Sequence, residues 1–178
     1  MQEPIPVGHL ALPEELRAQA VGLRPERSDD AAFMDRLYVS TRWEEMTVTG
    51  WPDDQKLAFL HQQRQYQASH YATHYHDAQF DVVEVAGVPA GRLYLLRLPN
   101  DYRIVDISLL PEYRNRGIGG ALMRSVAEEA HAKGIKVSIH VEVVNPAQTL
   151  YRRLGFVECE NKGAYLLMEW PPRSPSPP

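Results

Sequence analysis

The stretch Pro111-Glu112-Tyr113-Arg114-Asn115-Arg116-Gly117-Ile118-Gly119-Gly120 gathers three glycines and two arginines between a strand-like run, Ile104 to Leu110, and a helix-like run, Leu122 to Ala132. A helix start leaves backbone N–H groups without an internal partner and presents the positive end of the helix dipole, so it attracts anions. Gly117, Gly119 and Gly120 allow a phosphate to reach that backbone with no Cβ in the way. Arg114 and Arg116 add charge and forked donors suited to phosphate oxygens. The chemistry implied is retention of a phosphate-bearing ligand. A P-loop is a poor match, because no Gly-Lys-Ser/Thr follows. A Rossmann turn is equally poor, because six residues, Pro111 to Arg116, separate the strand from the first glycine.

The spacing Arg114-x-x-Gly117-x-Gly119, approached through Leu109-x-Pro111-Glu-Tyr-Arg, resembles the signature of the GNAT superfamily of N-acetyltransferases. A second element, Asn145-Pro-Ala-Gln-Thr-Leu-Tyr151-Arg-Arg-Leu-Gly155-Phe156, is similar to that family's Asn-x-x-Ala-x-x-x-Tyr-x-x-x-Gly-Phe, although Gln148 or Thr149 stands in the register of its alanine. The resemblance implies that Arg114, Asn115, Arg116, Gly117, Ile118, Gly119 and Gly120 grip the pyrophosphate of acetyl-coenzyme A. It implies that the backbone of Leu109 and Leu110 pairs with the pantetheine amides and polarises the acetyl carbonyl. By the same resemblance Asn145 bonds the pantetheine arm, and Tyr151 stands near the cofactor sulfur as general acid. The chemistry is consistent, since a leaving thiolate with a pKa of about 8.5 can share a proton with a phenol near 10.

The attacking ammonium must also lose a proton. Many members of the family carry a glutamate on the strand before the glycine loop, at a position that holds Arg103 here. Asp106 is the nearest acid on that strand and is our candidate base. Glu142 and His140 lie on the next strand, and a structural role is expected for both. His70 and His74 share a helical spacing with His76 nearby, but no acid or cysteine pattern completes a zinc motif, so no metal is expected. Trp43, Trp51, Tyr71 and Tyr75 fall where the family builds its acceptor pocket, either lining it or serving as core. Cys159 has no helix start or basic neighbour to activate it, which argues against a covalent acetyl-cysteine route.

These residues need a scaffold to position them. Ser28 or Asp29 can cap a helix to about Thr41, and Trp51-Pro52-Asp53-Asp54 starts a longer, polar one towards Tyr71. Phe80 to Val85 and Arg92 to Arg97 form a hairpin around Ala86 to Gly91, and Tyr102 to Leu110 adds a third antiparallel strand. Ile118, Leu122, Val126 and Ala130 make an apolar stripe on the next helix. Val137 to Val143 alternates as a strand, parallel to the one before the loop through a right-handed crossover. Asn145 caps a helix with Pro146 at its first position and Gly155 at its end, and a closing hairpin runs from Phe156 to Trp170. This order matches the GNAT fold, an α/β (α+β) arrangement with a mixed, mostly antiparallel twisted sheet and helices on both faces. Residues 1–20 are read as an extension, 21–170 as the acetyltransferase domain, and 171–178 as a disordered Pro-rich tail.

The chain has 178 residues, 44% hydrophobic and 24% charged, as expected for one globular domain. A net charge of −4 gives no polyanion-binding signal, so nucleic acid is not expected as a partner. No apolar run approaches the roughly 20 residues of a membrane span. The N-terminus lacks a basic segment followed by an apolar run, and Cys159 is the single cysteine. We therefore expect a cytoplasmic location. The function implied is transfer of an acetyl group from acetyl-CoA to a primary amine, on a small molecule, a peptide or protein N-terminus, or a lysine, by direct attack in a ternary complex. The alternative is a non-catalytic acyl-CoA-binding regulatory module, motivated by Arg103. Homodimers are common in the family.

Overall fold

Seven strands build one sheet: β1 Val21–Pro25, β2 Gln79–Val85, β3 Val88–Arg97, β4 Asp101–Leu109, β5 Lys136–Glu142, β6 Val157–Asn161 and β7 Tyr165–Trp170, in the order β1-β2-β3-β4-β5-β7-β6. The computed structural model describes residues 8–170, so the expected tail at 171–178 lies outside the described residues. Five helices accompany the sheet: α1 Glu14–Ala18, α2 Ala31–Arg42, α3 Asp53–His74, α4 Ile118–Ala132 and α5 Gln148–Arg153. Strand alternation separates two cores. Val83 joins Leu93, Ile118, Leu122 and Tyr151 on one face, while its neighbour Val82 joins Met34, Leu37 and Leu110 on the other. The expected mixed sheet with helices on both faces is therefore what the sequence folds into. None of the described helices is long and apolar enough to cross a membrane.

The apolar stripe of α4 is fully used, with Ile118, Leu122, Val126 and Ala130 at 1%, 0%, 0% and 0% exposure. Burial of each large aliphatic side chain there contributes about 1.5–3 kcal/mol. The long α3 has one buried residue, Leu60, in keeping with its polar composition. Leu10 and Leu16, read above as part of an extension, lie inside the main core.

Several local expectations are corrected. The β2–β3 turn is only Ala86-Gly87, both at positive φ as a two-residue hairpin of the primed type requires, and 88–91 is already strand. Neither Ser28 nor Asp29 caps α2. A 3-10 turn, Ser28–Asp30, precedes it, and the Asp30 carboxylate accepts the Arg27 N–H at 2.7 Å while Arg24 grips both its oxygens. The helix expected from Asn145 begins at Gln148. Gln148 donates its side-chain amide to the carbonyls of Glu142 and Val143 at 3.0 and 2.6 Å, which ties the first turn back to β5. Asn145 accepts the Ala147 N–H at 2.9 Å, and Gly155 adopts the expected left-handed φ of 97°.

The feature that makes a site is the parting of β4 from β5. They pair in parallel only from Asp101↔Lys136 to Ile104↔Ile139, and β4 then runs on to Leu109 without β5. A bulge opposite Tyr94 and Leu95 leaves Val105 without a β3 partner just where the strands separate. On its other side the same stretch of β4 approaches β3 very closely. A Cβ built on Gly91 would lie 2.2 Å from the Ser108 carbonyl oxygen. Gly91→Ala should therefore cost roughly 2–3 kcal/mol, a drop in Tm of about 4–12 °C for a chain of this size. Gly22→Ala, which meets nothing within 4 Å, is the control and should change Tm little. Equal Tm values for the two variants would show that β4 can shift to make room.

Candidate active site

Leu110 donates its N–H to the Ala90 carbonyl at 2.8 Å, so by strand alternation Leu109 turns its N–H and C=O away from β3 and into the opening. The Leu109 carbonyl accepts Nε of Arg114 at 2.8 Å, leaving the N–H as the donor on that edge. Leu110, grouped with Leu109 in the sequence reading, differs. Its N–H is committed to β3 and its side chain is core at 2% exposure.

The chain then passes through a 3-10 turn, Pro111–Tyr113, and two left-handed residues, Asn115 and Gly117 at φ of 58° and 78°. Ala121 makes the first α4 hydrogen bond, to the Gly117 carbonyl at 3.0 Å. Ile118, Gly119 and Gly120 thus occupy the first turn, where N–H groups lack an internal acceptor. A Cβ on Gly117 would meet nothing within 4 Å, and one on Gly119 only a Leu109 methyl at 3.9 Å. The backbone is therefore open to a bulky anion, as a pyrophosphate requires. Gly120 is buried, and a Cβ there would make only ordinary contacts, with Arg124 at 3.5 Å and Leu150 of α5 at 3.8 Å. Arg114 and Arg116 are exposed, with Arg116 lying 5.4 Å over the Tyr113 ring.

Tyr151, on α5, is 6% exposed and packs beside Phe156. Burial, with the Asp106 charge adding, pushes its phenol up to about 12. Among the described residues its hydroxyl has no hydrogen-bond partner. Asp106 is held from three directions. Its Oδ2 accepts Arg92 at 2.8 Å and the Tyr71 hydroxyl at 3.1 Å, and its Oδ1 accepts Ser108 at 3.1 Å. Burial and the Asp106 charge push the Tyr71 phenol far up, so it remains a donor.

The other candidates are engaged elsewhere. Glu142 receives both Nη atoms of Arg42 at 2.7 and 3.0 Å, and that contact holds its carboxyl below the usual range. Burial and the Arg103 charge push the His140 imidazole down. Arg103 itself binds Ser138 and Asp101, both at 3.2 Å, beside the paired part of β4 and β5. His70 and His74 stack in the open at 4.1 Å between ring centroids. Of the four aromatic residues singled out, Tyr71 reaches Asp106. Trp43 packs under Lys56, Trp51 meets Phe59, and Tyr75 meets Tyr71 edge-on. Burial and Glu169 push the Cys159 thiol up, away from a nucleophilic state.

Sequence reasoning missed Arg92, Gln67 and Arg42. Strand alternation from Asp106 and Ser108 through their partners Tyr94 and Arg92 was the available signal for the first of these. The contacts to Gln67 on α3 and from Arg42 to Glu142 span 25 and 100 residues and have no sequence mark.

The pattern of the Acetyltransferase (GNAT) family matches residues 37–156. A Bacillus subtilis protein provisionally named a ribosomal protein bS18-alanine N-acetyltransferase is 36% identical over 80 residues, 44% of this chain and 53% of that one. Streptothricin acetyltransferase of Streptomyces lavendulae is 42% identical over 59 residues, 32% of this chain and 31% of that one. The matched stretch thus spans about half or less of these curated relatives. The crystal structure of PaiA N-acetyltransferase from Thermoplasma acidophilum, in complex with coenzyme A, shares the fold with a TM-score of 0.62 over 84% of this chain and 97% of that one, at 17% identity. With the family pattern extending over the parted strands, the glycine loop and α5, the chain belongs to the GNAT family of acetyltransferases.

Proposed function

We propose that this protein transfers an acetyl group from acetyl-CoA to a primary amine by direct attack in a ternary complex. The observation that carries this reading is the opening between β4 and β5, with the Leu109 N–H turned into it, a donor-rich helix start at one end and the buried phenol of Tyr151 on α5. Two curated relatives are named for acetylation of an alanine of a ribosomal protein and of streptothricin, and the PaiA structure holds coenzyme A. These names support an amine acceptor and this cosubstrate.

In this reading, Arg114, Asn115, Arg116 and the backbone from Gly117 to Gly120 hold the pyrophosphate, and Asn145 bonds the pantetheine arm. Acetyl-CoA supplies an acyl group activated as a thioester. The Leu109 N–H donates to the carbonyl oxygen as negative charge builds there. Tyr151 gives its proton to the departing sulfur. Asp106, whose two oxygens are already bonded to protein donors, takes the ammonium proton through a bridging water. The single cysteine supports a reducing, cytoplasmic location in this reading, and the exposed β6 at the end of the sheet offers an edge for a homodimer.

Two measurements test this. Acetyl-CoA at a hundred times its Kd should stabilise the fold by about 2.7 kcal/mol, with ATP and NAD giving no shift. The absence of an acetyl-CoA shift would remove the cosubstrate assignment, and a shift without thiol release from any amine panel would favour the regulatory module. Tyr151→Phe keeps the ring packing and should lower kcat by about a hundredfold or more, with the acetyl-CoA shift retained. The acid form is lost only as pH rises through about 12, so Tyr151 should impose no falling limb at ordinary assay pH. A limb near neutrality that disappears in Tyr151→Phe would contradict this assignment, as would an unchanged kcat.

A further inference from the structure

A second cleft, of about 370 Å³, lies beneath the C-terminal half of α3, against β2, β3 and the turn that follows β1. Its size falls in the roughly 300–1,000 Å³ range of small-molecule pockets. Charged residues at its wall are Arg27, Arg64 and Arg92 against Glu26. Glu26 already accepts the Tyr94 hydroxyl, and Arg64 is paired with Asp35 at 3.1 Å.

Arg92 is the unusual member. It is 5% exposed, yet only its Nη2 has protein acceptors, Gln67 and Asp106, each at 2.8 Å. Its Nε is buried with no partner among the described residues. That sealed Nε is costly to leave unpaired, whereas Nη1, also without a protein acceptor among the described residues, is not sealed off and is the donor a ligand can reach. The guanidinium lies 4.9 Å over the Tyr94 ring, and Phe80 meets the same ring edge-on at 4.5 Å. On the α3 side the wall is low, because Ala68 and Ala72 are small and exposed.

We propose that this cleft binds a carboxylate-bearing small molecule, its carboxylate on the free Nη1 of Arg92 and its flat apolar body against Tyr71, Phe80 and the alanines of α3. Arg92 also grips Asp106, so a bound carboxylate acts directly on the residue proposed above as the base. The ligand is either the acceptor itself, an amine that carries a carboxylate, or an effector of the same chemistry. The acceptor case rests on the acetyltransferase reading, whereas the binding does not.

The test is titration calorimetry on the full chain without acetyl-CoA. The probes are L-phenylalanine, 3-phenylpropionate and L-phenylalaninamide. The two carboxylates should bind, and the amide should bind about tenfold more weakly or not at all. Ala68→Leu fills the cleft from an exposed helical position without touching Arg92. It should weaken both carboxylates by about tenfold or more while leaving Tm and the acetyl-CoA shift unchanged. Equal affinity for acid and amide, carboxylate binding untouched by Ala68→Leu, or no binding of either carboxylate at millimolar concentration would each overturn the proposal. Thiol release with L-phenylalanine and acetyl-CoA, lost in Ala68→Leu, identifies an acceptor. Binding without thiol release identifies an effector, and either outcome upholds the site. Carboxylate binding in a chain that gives no acetyl-CoA shift would keep the cleft and remove the acetyltransferase reading.

Discussion

β4 and β5 hydrogen-bond for only the first four residues of β4, Asp101 to Ile104, and the remainder of β4 has β3 on one side and no strand on the other. Unpaired backbone groups at a buried sheet edge are costly unless something else bonds them. One of them, the Leu109 carbonyl, is satisfied from within by Arg114. The Leu109 N–H on that edge has no strand partner, and in the proposed reading it is the donor left for a ligand. A sheet that paired β4 and β5 along their whole length would be simpler, and it would have no place for a substrate. The glycine loop, the position of α5 and the reach of Tyr151 all follow from that parting.

Arginines secure the face of the sheet under α2 and α3. Arg42 ties the end of α2 to Glu142 at the end of β5, and Arg92 ties β3 to Asp106 on β4 and to Gln67 on α3. Tyr38 lies buried within the field of both arginines. Buried pairs of this kind add little net stability, because desolvation offsets the attraction, but removing one partner strands the other. Their effect is to fix where the helices sit relative to the strand edges, and so to set the walls of the opening.

Much of this was legible in the sequence because it is local. The stripe Ile118, Leu122, Val126 and Ala130, the alternation along β5 and the left-handed glycine at 155 each carry their structure in a few neighbouring residues. The glycine loop, with its open backbone at a helix start, was legible for the same reason. What escaped was set by contacts between distant segments. The start of α5 moved to Gln148 because a side-chain amide found the end of β5, and Leu16 became core because α4 lay above it. Arg92 looked like an ordinary strand arginine until Gln67 and Asp106 closed around it.

The two arginines of the glycine loop are exposed, and each rests on a neutral group of the protein. Arg114 braces the Leu109 carbonyl, with Ser40 at 3.5 Å from its Nη2, and Arg116 lies over Tyr113. An incoming anion therefore meets two guanidinium charges together with a set of neutral backbone dipoles at the start of α4. Mobile ions screen net charges at long range far more than they weaken short hydrogen bonds from a fixed backbone. In the proposed reading, salt weakens the hold on a phosphate here through the two guanidiniums while the fixed backbone donors keep their share, a division that a cluster of free lysines would not provide.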